Sequence, residues 1–288
     1  VAGELITQDG QVQWRSLLLG AGSAYKLTDL QGWLDLPDMR DGDVDFDSYH
    51  GSQAGQLLVD RRTVTLSFTI STDPTGFSAA EKALRAATAP TENPIEEPLV
   101  VQWDGVKAMV NARCVRRSLP IPRNRGIGYT QGAIQWRATN PRLLHLPQQI
   151  AGPVSPPGAG AGGLLWPLTY PLVWGSAQSG GELLLTNAGN SAVQPVFRIT
   201  GTSTGPVITN PDTGDQLAFD PAYVLPAGAQ LLLSYEDRTV LGTDGVSRSN
   251  QLITRQWFTL PAGATTRVRF TSADGQGLLE SLYYSTSM

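Results

Sequence analysis

In the stretch TVTLSFTI, residues 63–70, Val64, Leu66, Phe68 and Ile70 alternate strictly with Thr63, Thr65, Ser67 and Thr69. A period of two is the mark of a strand with one buried face, because successive side chains leave a pleated backbone on opposite sides. Working outward, LVVQW (99–103) and VKAMVNARCV (106–115) flank Asp104-Gly105, the two-residue connection that suits a type I′ hairpin. AIQWRAT (133–139) ends the first half with another strand. One helix interrupts this pattern. Ser78 followed by Glu81 reads as a capping box, AAEKALRAAT is rich in helix formers, and Ala89-Pro90 stops it. Its apolar stripe would be Ala80, Ala83, Leu84 and Ala87, a face narrow enough to lie on a sheet.

The second half has its own entrance. PQQIAGPVSPPGAGAGG (147–163) has the composition of a linker, and GGLLWPLTYPLVWG (162–175) interleaves Pro167 and Pro171 with Trp166, Tyr170 and Trp174. Proline supplies no backbone donor, so that stretch reads as an extended segment laid on a surface by its rings. Beyond it come GELLLTN, VQPVFRITG, QLAFD, AQLLLSY, RTVLG, QLITRQWFTL, TTRVRFT and LLESLYY, separated by turns such as Asn210-Pro211 and Asp244-Gly245. Such spacing predicts a β-sandwich of jelly-roll type. The expected organisation is therefore mainly β: a domain over 1–146, a linker over 147–163 and a sandwich over 164–288.

The 288 residues are 41% hydrophobic and 16% charged, which is ample core material for folded domains. A net charge of −4 offers no basic patch for nucleic acid or an anionic membrane. No apolar run reaches the length of about 20 residues that a membrane helix needs. VAGELITQDG carries no secretory signal pattern, so folding in a reducing cytosol is the expectation. Cys114 is the only cysteine, which excludes internal disulfides and any multi-cysteine metal site.

The sharpest charge feature is an acidic run, Asp35, Asp38, Asp41, Asp43, Asp45 and Asp47, around the single Arg40. A calcium loop counted from Asp41 would need glycine and glutamate where Phe46 and Ser52 stand. Alternation would put four of these carboxylates on one face of an extended segment. That face suits a solvated edge strand, an anionic channel wall, or pairing with the arginines of a neighbouring subunit, with metal binding the remaining alternative. His50 and His145 stand in no ligand or triad spacing, and GAGAGG (158–163) follows Ser-Pro-Pro instead of a strand. No catalytic constellation and no cofactor site emerges. Trp257 and the Tyr283-Tyr284 pair are candidates for stacking on sugars or a partner, against the alternative that they pack in a core. Arg61-Arg62 and Arg116-Arg117 read as solvated or interface charges.

Several fragments in order carry a resemblance. QWRSLLLG (13–20), LTDLQGWLDLPDMRDGD (27–43), a glycine-bearing loop at 51–55, RRTVTLSFTI (61–70), the capped helix and AIQWRATNPRLL (133–144) make up the first half. GGLLWPLTYPLVWG, LLLTNAGNSAVQPVFRITG (183–201), VITNPDTGDQLAFD (207–220), LPAGAQLLLSYEDRTVL (225–241) and WFTLPAGATTRVRF (257–270) make up the second. Over nearly the whole chain this resembles the distal tail proteins of long-tailed, non-contractile bacteriophages. One departure is Tyr235-Glu236-Asp237, where a single aspartate would be expected.

The resemblance implies a virion structural protein of the tail tip, assembled in the bacterial host cytoplasm and without catalytic residues. It implies a barrel-like N-terminal domain related to the tail-tube subunit, closing a homo-oligomeric ring that is usually hexameric. It also implies a galectin-like C-terminal sandwich. The partners implied are the tail tube protein, a tail-associated lysin-type tip protein and receptor-binding proteins, with host surface glycan a further candidate. Genome DNA would pass through the lumen without specific binding, which favours walls that repel phosphate. On that basis Asp38, Asp41, Asp43, Asp45 and Asp47 are expected at the lumen or a subunit interface. The alternative reading is a carbohydrate-binding sandwich with no role in tail assembly, followed by a sandwich appended to an enzyme.

Overall fold

The computed structural model describes residues 2–121, 123, 127–157 and 180–288, and the chain divides into two compact units. Unit 1 is Val1–Leu146 with Ser287–Met288, and unit 2 is Pro147–Thr286. The aromatic-proline stretch 162–175 lies outside the described residues.

The alternation at 63–70 becomes the strand Arg62–Ser71, whose burial alternates along its length with Val64, Leu66, Phe68 and Ile70 inside. Unit 1 is built on an antiparallel sheet in the order Leu17–Gly20, Gln11–Trp14, Glu97–Trp103, Val106–Ser118, Tyr129–Ala138, Arg62–Ser71, Tyr25–Gln31. The strands at the two ends of that order are consecutive in the chain, with only residues 21–24 between them. Such a connection spans at most about 18 Å, so the sheet curls until its end strands approach each other at that corner. Asp104 and Gly105 both have positive φ and join Trp103 directly to Val106, the backbone of a type I′ turn.

One helix, Pro74–Ala87, covers the inner face with Phe77, Ala80 and Leu84. It starts a turn earlier than Ser78 suggests. Asp73 is the N-cap, its carboxylate accepting from the Gly76 N–H at 3.4 Å, and Pro74 follows where a missing N–H costs nothing. Ser78 is thus inside the helix, and Ala83 is exposed instead of packed. At the other end the sheet supplies the caps. Trp14 Nε1 donates to the Ala87 carbonyl at 3.0 Å, and Arg117 Nη1 donates to Thr88 Oγ1 at 2.6 Å and to the Arg85 carbonyl at 3.2 Å. A cation over the last turn complements the helix dipole, so Arg117 is a helix cap and not a freely solvated charge. Asp73→Ala is expected to cost about 1 kcal/mol, read as a lower thermal midpoint of unit 1. An unchanged midpoint would assign the helix start to packing alone.

Unit 2 is a sandwich of two five-stranded antiparallel sheets. One runs Gln149–Val154, Leu278–Tyr283, Val196–Thr200, Gln230–Ser234, Thr239–Gly242. The other runs Glu182–Thr186, Thr265–Thr271, Val207–Thr209, Gln216–Phe219, Leu252–Arg255. Both contribute to one core, Phe197, Ile199, Leu231 and Leu279 from the first and Leu185, Phe219, Val268 and Phe270 from the second. Two strands escape composition. Residues 149–154, inside the stretch that reads as a linker, form an edge strand, where Pro153 breaks no ladder on its outer side. Val207–Thr209 is a strand too short for a periodic signal. QLITRQWFTL, conversely, is extended only over Leu252–Arg255.

Candidate assembly interface

The acidic run is one leg of a hairpin arm. Met39–Arg40 pairs with Leu58–Val59, Val44–Asp45 pairs with Ser52–Gln53, and Asp60 N–H donates to the Asp38 carbonyl at 2.8 Å. The run is therefore not a single edge strand. It breaks between the two ladders, where Asp43 turns its carboxylate inward to accept from Gly55 N–H at 2.8 Å. Asp38, Asp41, Asp43, Asp45 and Asp47 are all exposed. At the tip Phe46 stacks on Tyr49 with ring centroids 4.4 Å apart. An isolated two-stranded hairpin is marginal in water, yet this one leaves Val44 65%, Tyr49 65% and Leu57 57% exposed, and Leu34 just before it is 73% exposed. Uncovered apolar side chains on a protruding ribbon mark a surface made for contact.

Arg62 holds the root of this arm. The sequence reads it as a solvated or interface charge, but the period-two alternation puts it on the core face with Val64, and it is 1% exposed. Its Nη1 donates to the carbonyls of Gly32, Trp33 and Asp35 at 2.7, 2.9 and 2.9 Å, and its Nε to that of Pro141 at 2.8 Å. Gly32 makes the wrap possible. Its φ is +79°, and a Cβ there would stand 1.9 Å from the Thr63 carbonyl oxygen. Burial pulls the Arg62 pKa below its ordinary value, opposed by the charge of Asp35. The group stays a cation, since arginine titrates far above neutrality.

Unit 2 presents a second surface. On the outer face of its first sheet, Ile150 lies beside Leu282 and Leu282 beside Val196, while Leu232 lies beside Leu241. Arg198 and Glu280 form an ion pair among them. Ile150, Leu232 and Leu241 are exposed. The outer face of the other sheet carries the ion pairs Arg269–Glu182 and Arg267–Asp212. An apolar face with an internally neutralised ion pair suits a protein partner better than a charged ligand.

The three aromatic candidates of this unit separate. Tyr283 is a core residue, 5% exposed, whose hydroxyl accepts from Thr186 N–H at 3.1 Å, so it presents nothing to a ligand. Tyr284 lies just beyond the strand end and is half-buried, with its phenol pKa raised by burial. Trp257 is half-buried, packed on the core edge and T-shaped to Tyr235 at 6.1 Å. Among the described residues, no three of His, Cys, Asp and Glu gather closely enough to hold a metal ion.

A half-closed barrel with one capped helix, followed by a two-sheet sandwich, has a counterpart among solved structures. The crystal structure of the Dit (gp 19.1) protein of phage SPP1, a hub of the adsorption apparatus in phages infecting Gram-positive bacteria, matches with a TM-score of 0.62. The match covers 92% of this chain and 94% of that one. This chain has the fold of a phage tail hub protein. A chain of the phage P2 baseplate, in its activated conformation with calcium, matches with a TM-score of 0.50 over 95% of this chain and 97% of its own. Identities are 10% and 7%, so the likeness lies in the hub fold and not in individual residues. No family model and no curated protein matches the sequence.

Proposed function

We propose that the chain is a structural subunit of a phage tail tip, forming the distal ring that joins tail tube to tip and bears receptor-binding components. The observation that carries the reading is the arm on a hub fold: a ribbon with uncovered Val44, Tyr49 and Leu57, and Leu34 beside its root, needs a second surface to cover it. Copies of one chain meeting head to tail through two different faces close into a ring. Under this reading Asp38, Asp41, Asp43, Asp45 and Asp47 lie at a subunit interface or along the bore, where carboxylates repel passing DNA. The apolar outer face around Ile150, Leu232 and Leu241 is the platform for receptor-binding proteins, while tail tube and lysin-type tip proteins adjoin the ring. Assembly takes place in the host cytoplasm, and the ring resides in the virion tail tip.

The test is sedimentation of the full chain at rising concentration, with imaging of the product. Closed rings of several copies of the 30.8-kDa chain are expected, six in the family it resembles. Shortening the arm by deleting 42–55 is expected to leave a folded monomer. Rings that persist without the arm would remove the observation on which the reading rests.

A further inference from the structure

Two sets of charged side chains in unit 1 have no counter-ion among the described residues. On the arm, Asp41, Asp45 and Asp47 carry no side-chain hydrogen bond or ion pair among the described residues. On the sheet, Arg113 stands directly across from Arg137. Like charges in that position repel each other. Neither guanidinium has an ion-pair partner among the described residues, and Arg137 Nε is buried with no hydrogen-bond acceptor. Arg15 nearby adds no free charge, because both its bonds to Glu97 neutralise it.

Shape follows the charge. Arg113 lines a cavity of about 220 Å³ with Trp14, Pro90, Ile95 and Val115, and Ile95 is 81% exposed at its rim. The arm tip is the inverse object, the Phe46–Tyr49 stack flanked by Asp45 and Asp47. An aromatic plug between acids thus has, on another part of the same unit, a hollow of mixed polar and apolar lining, with Pro90 and Ile95 on one side and Arg113 on the other, beside arginines that lack an ion-pair partner among the described residues.

We propose that the arm of one copy docks on this surface of the next, with Phe46 and Tyr49 in the hollow and Asp45 and Asp47 against Arg113 and Arg137. The inference rests on the ring reading and names its interface. Plug and hollow are different surfaces, so the contact repeats head to tail around a ring and does not end at a two-fold dimer. Docking brings counter-ions to the two guanidiniums and relieves the Arg113–Arg137 repulsion. Buried acid–arginine contacts of this kind chiefly govern dissociation, and unpaired carboxylates steer the encounter.

Charge exchange in the full chain tests it. Asp45→Arg/Asp47→Arg and, separately, Arg113→Asp/Arg137→Asp are each expected to weaken assembly about 100-fold or more in sedimentation velocity. Mixing the two variants, or joining the four changes in one chain, is expected to restore assembly, because every interface is complementary again. Circular dichroism establishes that each variant folds. Should the sheet variant misfold, Arg113→Glu alone, at a half-buried position, replaces it. Variants that assemble like the parent would overturn the docking and leave the ring reading intact, as would loss of assembly without rescue. A parent chain that stays monomeric at every concentration and yields no cross-linked oligomer overturns both.

Discussion

Replacing Arg62 with methionine is expected to destabilise unit 1 by about 3 kcal/mol, because backbone carbonyls at the root of the arm are left without a donor. The four carbonyls of Gly32, Trp33, Asp35 and Pro141 lose their donor together. The acceptor of the fully buried bond, on Trp33, costs about 1–3 kcal/mol when unpaired and the part-buried three cost less, and methionine fills the volume without replacing a single bond. Lysine keeps the charge but lacks the planar fork that reaches Pro141 on one side and Gly32 on the other, so it is expected to recover little. The effect has a spatial signature. Amides of the arm root around residues 32–35 and of the strand Arg62–Ser71 should lose protection in hydrogen exchange before those of unit 2. A methionine variant within about 1 kcal/mol of the parent would mean that water reaches these carbonyls and that Arg62 is dispensable to the arm.

Trp136→Ala is expected to cost a similar amount, about 3–5 kcal/mol, by a different route. Trp136 is fully buried, its ring centroid 5.8 Å from that of Trp14. Its indole N–H makes no hydrogen bond, so the loss is one of packing and cavity formation alone. For that reason Trp136→Phe should recover a large part of the loss, which a hydrogen-bonded indole would not allow. Trp14 also caps the helix through Ala87, so the cavity should loosen the helix C-terminus. The measurement is the urea midpoint followed by exchange of unit 1 amides, since a chain of two units need not unfold in one step. A cost below about 1 kcal/mol would show that the core collapses around the missing ring.

How far each element was legible depends on the range of the interaction that makes it. The strand Arg62–Ser71 and the Asp104-Gly105 hairpin were readable because alternation and a positive-φ pair are properties of a few adjacent residues. The helix was readable in kind but not in its start. Asp73-Pro74 and Ser78 are both acceptable beginnings locally, and packing of Phe77 into the core selects the earlier one. The edge strand at 149–154 was hidden because its composition is that of a linker, and only its pairing with Leu278–Tyr283 distinguishes it.

The proposed docking surface was legible by half. The acidic run was visible as charge, but the arginine pair proposed to face it was not, since Arg113 and Arg137 meet only through the pairing of their strands. Tyr283 and Tyr284 looked equivalent, yet the strand ends at Tyr283, whose place in the alternation puts it in the core, while Tyr284 lies beyond it and is half-buried.

By itself the sequence determined that this is a β protein with two cores, where its tight turns fall and which strand faces are apolar. All of these follow from backbone geometry over a few residues. Tertiary structure alone decided what the polar residues do. Arg62 is the clearest case: its acceptors lie 27 to 79 residues away along the chain. A charge that lands on the core face can be solvated, expelled or clamped, and the choice depends on which distant carbonyls the fold brings within about 3 Å.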